Sequence, residues 1–153
     1  MGDINRNWKF ADFIFQHFPS KKYKTVLVLA DGKGELSAIL SKKYHVVTYE
    51  PKPRQAIKRK KVKYIPKYFN SYIPVDQDFI VAMHPDEATG ELIEASYKYH
   101  KPFAVVPCCI KGKFAHGIQG YHNWLNKLKK ESRTKVNETM LPIGGKNIIL
   151  FRN

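Results

Sequence analysis

Only two cysteines occur among the 153 residues, and they are neighbours, Cys108 and Cys109. Adjacent thiols cannot tie distant segments together, so the pair is no disulfide framework, and a reducing compartment is the natural setting. The His, Cys and Asp residues fall at no spacing that suggests a metal site, and none is expected. Long apolar runs are missing too: no stretch approaches the roughly 20 residues that a membrane-spanning helix needs. No basic segment carries an apolar face suited to a membrane surface. The opening MGDINRNWKF has mixed charge and lacks the apolar centre of a secretory signal. These absences predict an intracellular protein, cytoplasmic or nuclear, without membrane association. A Gly-x-x-x-x-Gly-Lys-Ser/Thr loop is absent, which removes that signature of ATP hydrolysis. No repeat, linker or low-complexity tract divides the chain, so one domain is expected over 1–153, with a lead-in helix in 1–20.

Acidic residues are scarce. Thirteen Asp and Glu face 27 Lys and Arg, a formal net charge of +14. A polyanion is the partner that such an excess favours, against the plainer reading of solvated basic faces. Much of the excess lies in KPRQAIKRKKVKYIPK, where Lys52, Arg54, Lys58, Arg59, Lys60, Lys61 and Lys63 are the candidate phosphate contacts.

Periodicity supplies the elements. Trp8 to Phe18 has helical spacing that ends before Pro19. Val26 to Ala30 is almost wholly apolar, as a parallel strand covered on both faces must be, and a helix is expected from Gly34 to Lys43. Further strands are expected at Val46–Tyr49, Val62–Ile65, Phe79–Met83 and Phe103–Val106, with a short basic helix around Arg54 to Lys60. A helix beginning near Asp86, an acid suited to an N-cap, runs on until Pro102 stops it. Ile110 to Gly120 reads as a mobile loop, followed by a helix carrying Trp124, Leu125 and Leu128. Glu138–Ile143 and Asn147–Phe151, separated by Gly-Gly-Lys, read as a β-hairpin. Alternating strands and helices followed by a hairpin predict an α/β fold: a mostly parallel sheet between helical layers, ending in an antiparallel pair.

Within this frame, Thr25 to Pro51 reads TVLVLADGKGELSAILSKKYHVVTYEP. A buried strand, a loop with Gly32 and Gly34, a helix and a second strand ending in Glu50 make a nucleotide-binding βαβ unit. Glycines let backbone approach a ligand, and Glu50 can accept from both hydroxyls of a ribose. Glycines in a plain turn and a solvated strand-end acid are the competing reading.

Three segments carry a resemblance to a known family. The loop GKGELS (Gly32 to Ser37), the strand end MHPDEAT (Met83 to Thr89) and VPCC (Val106 to Cys109) resemble a small, divergent branch of the seven-stranded S-adenosylmethionine-dependent methyltransferases. That branch includes methyltransferase-like proteins and a tRNA ribose 2′-O-methyltransferase. The resemblance extends over nearly the whole chain and implies a three-layer Rossmann-like methyltransferase fold with a seven-stranded sheet. It implies S-adenosylmethionine as cofactor, lined by Ala30, Asp31, Gly32, Gly34, Glu50 and Met83. His84, Asp86, Cys108 and Cys109 would shape the transfer site. RNA would be the substrate, modified at a ribose 2′-hydroxyl or a base nitrogen, and a partner protein could activate so small a chain. The chain departs from the usual first motif, which has an acid two residues before its first glycine; Val28 and Ala30 stand there, and Asp31 follows.

Two alternatives remain. The first is a catalytically silent methyltransferase-fold module that binds RNA or protein. The second is an RNA cytosine-5 methyltransferase whose Cys108 or Cys109 adds to the base. A buried, structural cysteine pair is the reading opposed to the latter.

Overall fold

A computed structural model of the chain describes residues 4–52 and 59–153. The expected basic helix falls largely on residues 53–58, outside the described residues, as do Arg54 and Lys58. The described elements are α1 (Arg6–His17), β1 (Thr25–Leu29), α2 (Glu35–Leu40), β2 (His45–Tyr49), β3 (Val62–Ile65), β4 (Phe79–Met83), α3 (Ala88–Tyr99), β5 (Phe103–Val106), α4 (Tyr121–Glu131), β6 (Asn137–Met140) and β7 (Ile148–Arg152).

The strands form one seven-stranded sheet in the order β3-β2-β1-β4-β5-β7-β6. The first five are parallel to their neighbours. β7 runs antiparallel to both β5 and β6. The fold is therefore the three-layer, Rossmann-like α/β sandwich with a terminal antiparallel hairpin that the alternation predicts.

Side chains alternate across the sheet, so each strand feeds two cores. Val26, Val28, Phe79, Val81, Ala104 and Val106 face one layer, where α1 and α2 bury Phe10, Ile14, Leu36 and Leu40. Leu27, Leu29, Ile80, Ala82, Phe103 and Val105 face the other, against Leu92 and Ile93 of α3 and Trp124, Leu125 and Leu128 of α4. Burying each of the larger side chains contributes about 1.5–3 kcal/mol, so β1, β4 and β5 are held from both sides. β6 is exposed along its whole length, and its Asn, Glu and Thr suit a sheet edge.

The structure departs from the pattern in the sequence at several places, of which α2 ending at Leu40 is the simplest. α3 starts at Ala88, because Asp86 takes φ 51, outside helical backbone, and its carboxylate makes no cap bond to the helix. The hairpin ladder ends at Met140: Leu141 and Ile143 leave the sheet and are buried in the α1/α2 layer. The Ile110–Gly120 segment is tied down. Lys113 pairs with Glu91 and Glu94 of α3, and a methyl group on Gly90 would fall 2.2 Å from the Lys113 carbonyl oxygen.

One consequence of strand order positions the site. β1 lies between β2 and β4, so the chain leaves the carboxyl end of β1 toward one side and that of β4 toward the other. The crevice opened there is where doubly wound sheets bind ligands.

Candidate functional site

At the end of β1 the backbone turns sharply. Ala30, Gly32 and Gly34 all have positive φ, 56°, 59° and 85°. Glycine accepts this readily, whereas at Ala30 it costs about 1 kcal/mol or more. The turn is fixed by its neighbours: Ala30 N–H donates to the Tyr49 carbonyl at 2.9 Å, and Gly32 N–H donates to Glu50 Oε1 at 2.9 Å. Glu50 thus ties the loop after β1 to the end of β2. Its bond to Gly32 engages Oε1, and the residue lines the cavity below.

Asp31 faces the other way. Its two oxygens accept from Leu36 N–H at 3.2 Å and Ser37 N–H at 2.7 Å, satisfying orphan donors in the first turn of α2. Burial pushes this carboxyl up to about 6 against the opposing pull of those hydrogen bonds, and the nearby Glu50 adds to the rise. Gly34 is the N-cap of the same helix. Met83 is buried in the α1/α2 core.

A cavity of about 620 Å³ opens over these strand ends, lined among others by Ala30, Gly32, Tyr49, Glu50, His84 and Asp86. Arg6 and Lys52 also line it. The volume is ordinary for a cofactor-sized ligand.

At the β4 end, His84 and Asp86 hold φ of 49° and 51° on either side of Pro85. Strained non-glycine backbone gathers at functional sites, and here three such residues, Ala30, His84 and Asp86, border one cavity. His84 Nε2 lies 2.8 Å from the Lys146 carbonyl, which can only accept, so Nε2 carries the proton and Nδ1 the lone pair. Nδ1 in turn lies 3.4 Å from Arg6 Nη1 on α1. Burial lowers the pKa of His84, the guanidinium lowers it further, and the Lys146 hydrogen bond and Asp86 oppose both. The imidazole is therefore neutral at physiological pH, with its lone pair held by Arg6.

Next to it, Cys108 Sγ–H donates to Asp86 Oδ1 at 3.2 Å. Burial, reinforced by the adjacent carboxylate, pushes the Cys108 thiol up to about 12. A thiol so held stays protonated, opposite to what an attacking cysteine needs. Cys109 is exposed. The turn that carries both is anchored by Tyr121, whose hydroxyl donates to the Pro107 carbonyl at 2.7 Å.

The structure thus brings Ala30, Gly32, Glu50, His84, Asp86 and Lys52 to one cavity. It gives Asp31 and Gly34 places at the start of α2, and Met83 a place in the core. Lys60, Lys61, Lys63 and Arg59 are exposed along the turn before β3 and on β3 itself. Trp124 is fully buried. Arg6 is one of the cavity residues that sequence reasoning missed, with Phe69, Asn70 and Glu91 among the others. It lies one turn before the apolar stripe of α1, and its partner is 78 positions away, so no local pattern marks it.

No family profile matches this chain, and no curated protein does. Solved structures match it over nearly its whole length. A SAM-dependent methyltransferase from Leishmania major superposes with a TM-score of 0.65 at 13% identity, covering 95% of this chain and 70% of its own. An O-methyltransferase family protein from Burkholderia thailandensis gives 0.64 at 16%, with 95% and 55% covered. The sugar N-methyltransferase KedS8 from Streptoalloteichus gives 0.61 at 12%, with 98% and 87% covered. The chain spans 55 to 64% of the length of three further structures that it matches. At such identities the likeness establishes the fold alone: the chain shares the three-layer, Rossmann-like fold of these methyltransferases, and it carries an Asp/Cys/Cys cluster at the ends of β4 and β5. Among the described residues, no helix is long and apolar enough to cross a membrane.

Proposed function

We propose that this chain is an S-adenosylmethionine-dependent methyltransferase acting on RNA, at a ribose 2′-hydroxyl or a base nitrogen. The observation that carries the cofactor reading is Glu50, tied through Oε1 to Gly32 N–H at the rim of the cavity. A carboxylate fixed at the end of β2 beside an apolar wall of Tyr49 and Phe69 suits a ribose with an attached base. Gly32 has open space where a Cβ would stand, so ligand can approach its backbone. When bound, the cofactor supplies an activated methyl group.

The chain's own residues hold and align the reactants. Lys52 on the cavity wall and the exposed Arg59, Lys60, Lys61 and Lys63 offer a cationic approach for a phosphate backbone. His84 and Asp86 border the place where the acceptor atom would sit. Because Arg6 occupies the lone pair of His84, proton removal by this imidazole requires Arg6 to swing away, for instance onto an RNA phosphate. Positioning and exclusion of water then supply most of the rate. The thiol of Cys108, raised by burial, argues against Cys108 as the attacking cysteine of the cytosine-5 route, which leaves that route to Cys109.

Calorimetric titration of the folded chain with S-adenosylmethionine tests the reading, with saturable binding expected. No binding at millimolar cofactor overturns it and leaves the silent RNA- or protein-binding module. The use of both Asp31 oxygens on α2 favours that second reading, since it leaves no acid of the first motif facing the cofactor's ammonium. For the RNA assignment, affinity for a mixed RNA is expected to fall steeply with salt. Replacing Lys60, Lys61 and Lys63 with Gln should lower the slope of log K against log salt by about 0.7 per lost phosphate contact on single strands. An unchanged slope would remove these lysines from the interface.

A further inference from the structure

Asp86 and the cysteine pair leave adjacent strands, β4 and β5, whose last residues pair as Met83↔Val106. That register brings together side chains that are far apart in sequence. One carboxylate oxygen of Asp86 and the sulfurs of Cys108 and Cys109 lie within 4.8 Å of one another, the only such group of three among the described residues. A bend at Cys109 lets neighbouring side chains point to one spot.

Around a tetrahedral zinc ion, with bonds of about 2.3 Å to sulfur and 2.0–2.2 Å to oxygen, ligand atoms stand roughly 3.5–4 Å apart. Cys108 Sγ and Asp86 Oδ1 are already 3.2 Å apart. Small side-chain rotations close the set. Two sulfurs and one carboxylate suit zinc, and they do not suit magnesium or calcium, which take oxygen ligands. Three protein ligands leave the fourth position open, the arrangement of a reactive rather than a purely structural site.

We infer that Asp86, Cys108 and Cys109 form a zinc site at the edge of the cavity, which Asp86 lines and the two cysteines adjoin, with its fourth position open. The exchange is balanced without redox chemistry: Zn²⁺ displaces the two thiol protons to solvent, so its two positive charges replace two others and the net charge of the site is unchanged. Tyr121, through the Pro107 carbonyl, holds the turn that presents both sulfurs. If the cavity transfers methyl groups, a reading on which this consequence alone rests, the open position would bind the acceptor atom and ease loss of its proton. Such an ion would do what His84 does only once Arg6 has moved from its lone pair.

The test uses the full chain, reduced and stripped of metal, titrated with Co²⁺ and then Zn²⁺. One equivalent of Co²⁺ is expected to give a tetrahedral cobalt–thiolate spectrum that Zn²⁺ abolishes, with two protons released per ion in weak buffer. Cys108→Ser, Cys109→Ser and Asp86→Asn should each weaken zinc by about a hundredfold or more. Cys109 is exposed, so its Ser variant keeps the fold, as a thermal unfolding scan of each variant would verify. No cobalt–thiolate spectrum in the folded chain, or undiminished affinity in Cys109→Ser, overturns the site. Titrating the same samples with S-adenosylmethionine separates the two readings. Cofactor binding without metal binding overturns the zinc site alone, and metal binding without cofactor binding overturns the methyltransferase.

Discussion

The two walls of the cavity are built differently. On the β1/β2 side the acids are anchored inside the protein: both Asp31 oxygens cap α2, and Glu50 is held to Gly32 through Oε1. On the β4/β5 side the side chains are chemically reactive types held in strained or shared arrangements. His84 and Asp86 have positive φ, Arg6 reaches across from α1, and a thiol leans on a carboxylate. Prepaid order on one wall suits recognition of a ligand that stays the same from one reaction cycle to the next. Strain and polar pairs on the other suit groups whose partners change during a reaction.

The strongest way to break this contrast is Glu50→Ala. If the β1/β2 wall is the recognition wall, the loss of a charged hydrogen bond should weaken S-adenosylmethionine by about ten- to a hundredfold. Cys109→Ser, beside Asp86 of the opposite wall, should leave cofactor affinity unchanged, and paired calorimetric titrations compare the two. Equal losses in both variants would abolish the distinction between the walls.

A smaller effect distinguishes order from stability within the first wall. Folding lifts Asp31 from 3.8 to about 6, so between those values the folded chain holds a proton that the unfolded chain has lost. Its contribution is thus fully present below about pH 4 and declines as pH rises through 6. Since the residue keeps some solvent access, the decline is set at about 1–2 kcal/mol. Urea unfolding of the wild type and Asp31→Asn across pH 4–7 should show the wild type losing that amount relative to the variant as pH rises. A constant gap would mean that Asp31 titrates normally.

The contrast also explains what could be read from the sequence. β4 and β5 fall at Phe79–Met83 and Phe103–Val106, where unbroken apolar runs mark them, because strands covered on both faces tolerate little else. His84 and Asp86 are legible as polar residues just past such a run, and Glu50 as the acid that closes β2. Leu141 and Ile143 misled for the same reason: they are apolar and alternate, yet they serve the core beyond the end of the ladder. The pairing of Asp86 with Cys108 and of His84 with Arg6 was not legible. Each joins elements that only the strand order brings together, and no spacing along the chain encodes that order.

The smallest expected effect sharpens the view of the second wall. Tyr121 anchors the turn before Cys108 through one hydrogen bond, its hydroxyl to the Pro107 carbonyl at 2.7 Å. Burial, with Cys108 and Glu138 nearby, pushes that phenol up to about 12, so it remains a donor throughout the accessible pH range. Tyr121→Phe keeps the ring and removes only the donor. The variant should lose about 0.5–1.5 kcal/mol of stability, read from urea midpoints, with cofactor affinity unaltered. Cys108 should also become more reactive toward a thiol reagent as the turn loosens and water reaches the sulfur. A stable variant with unchanged thiol reactivity would show that the strands, rather than Tyr121, hold the cysteine pair beside Asp86.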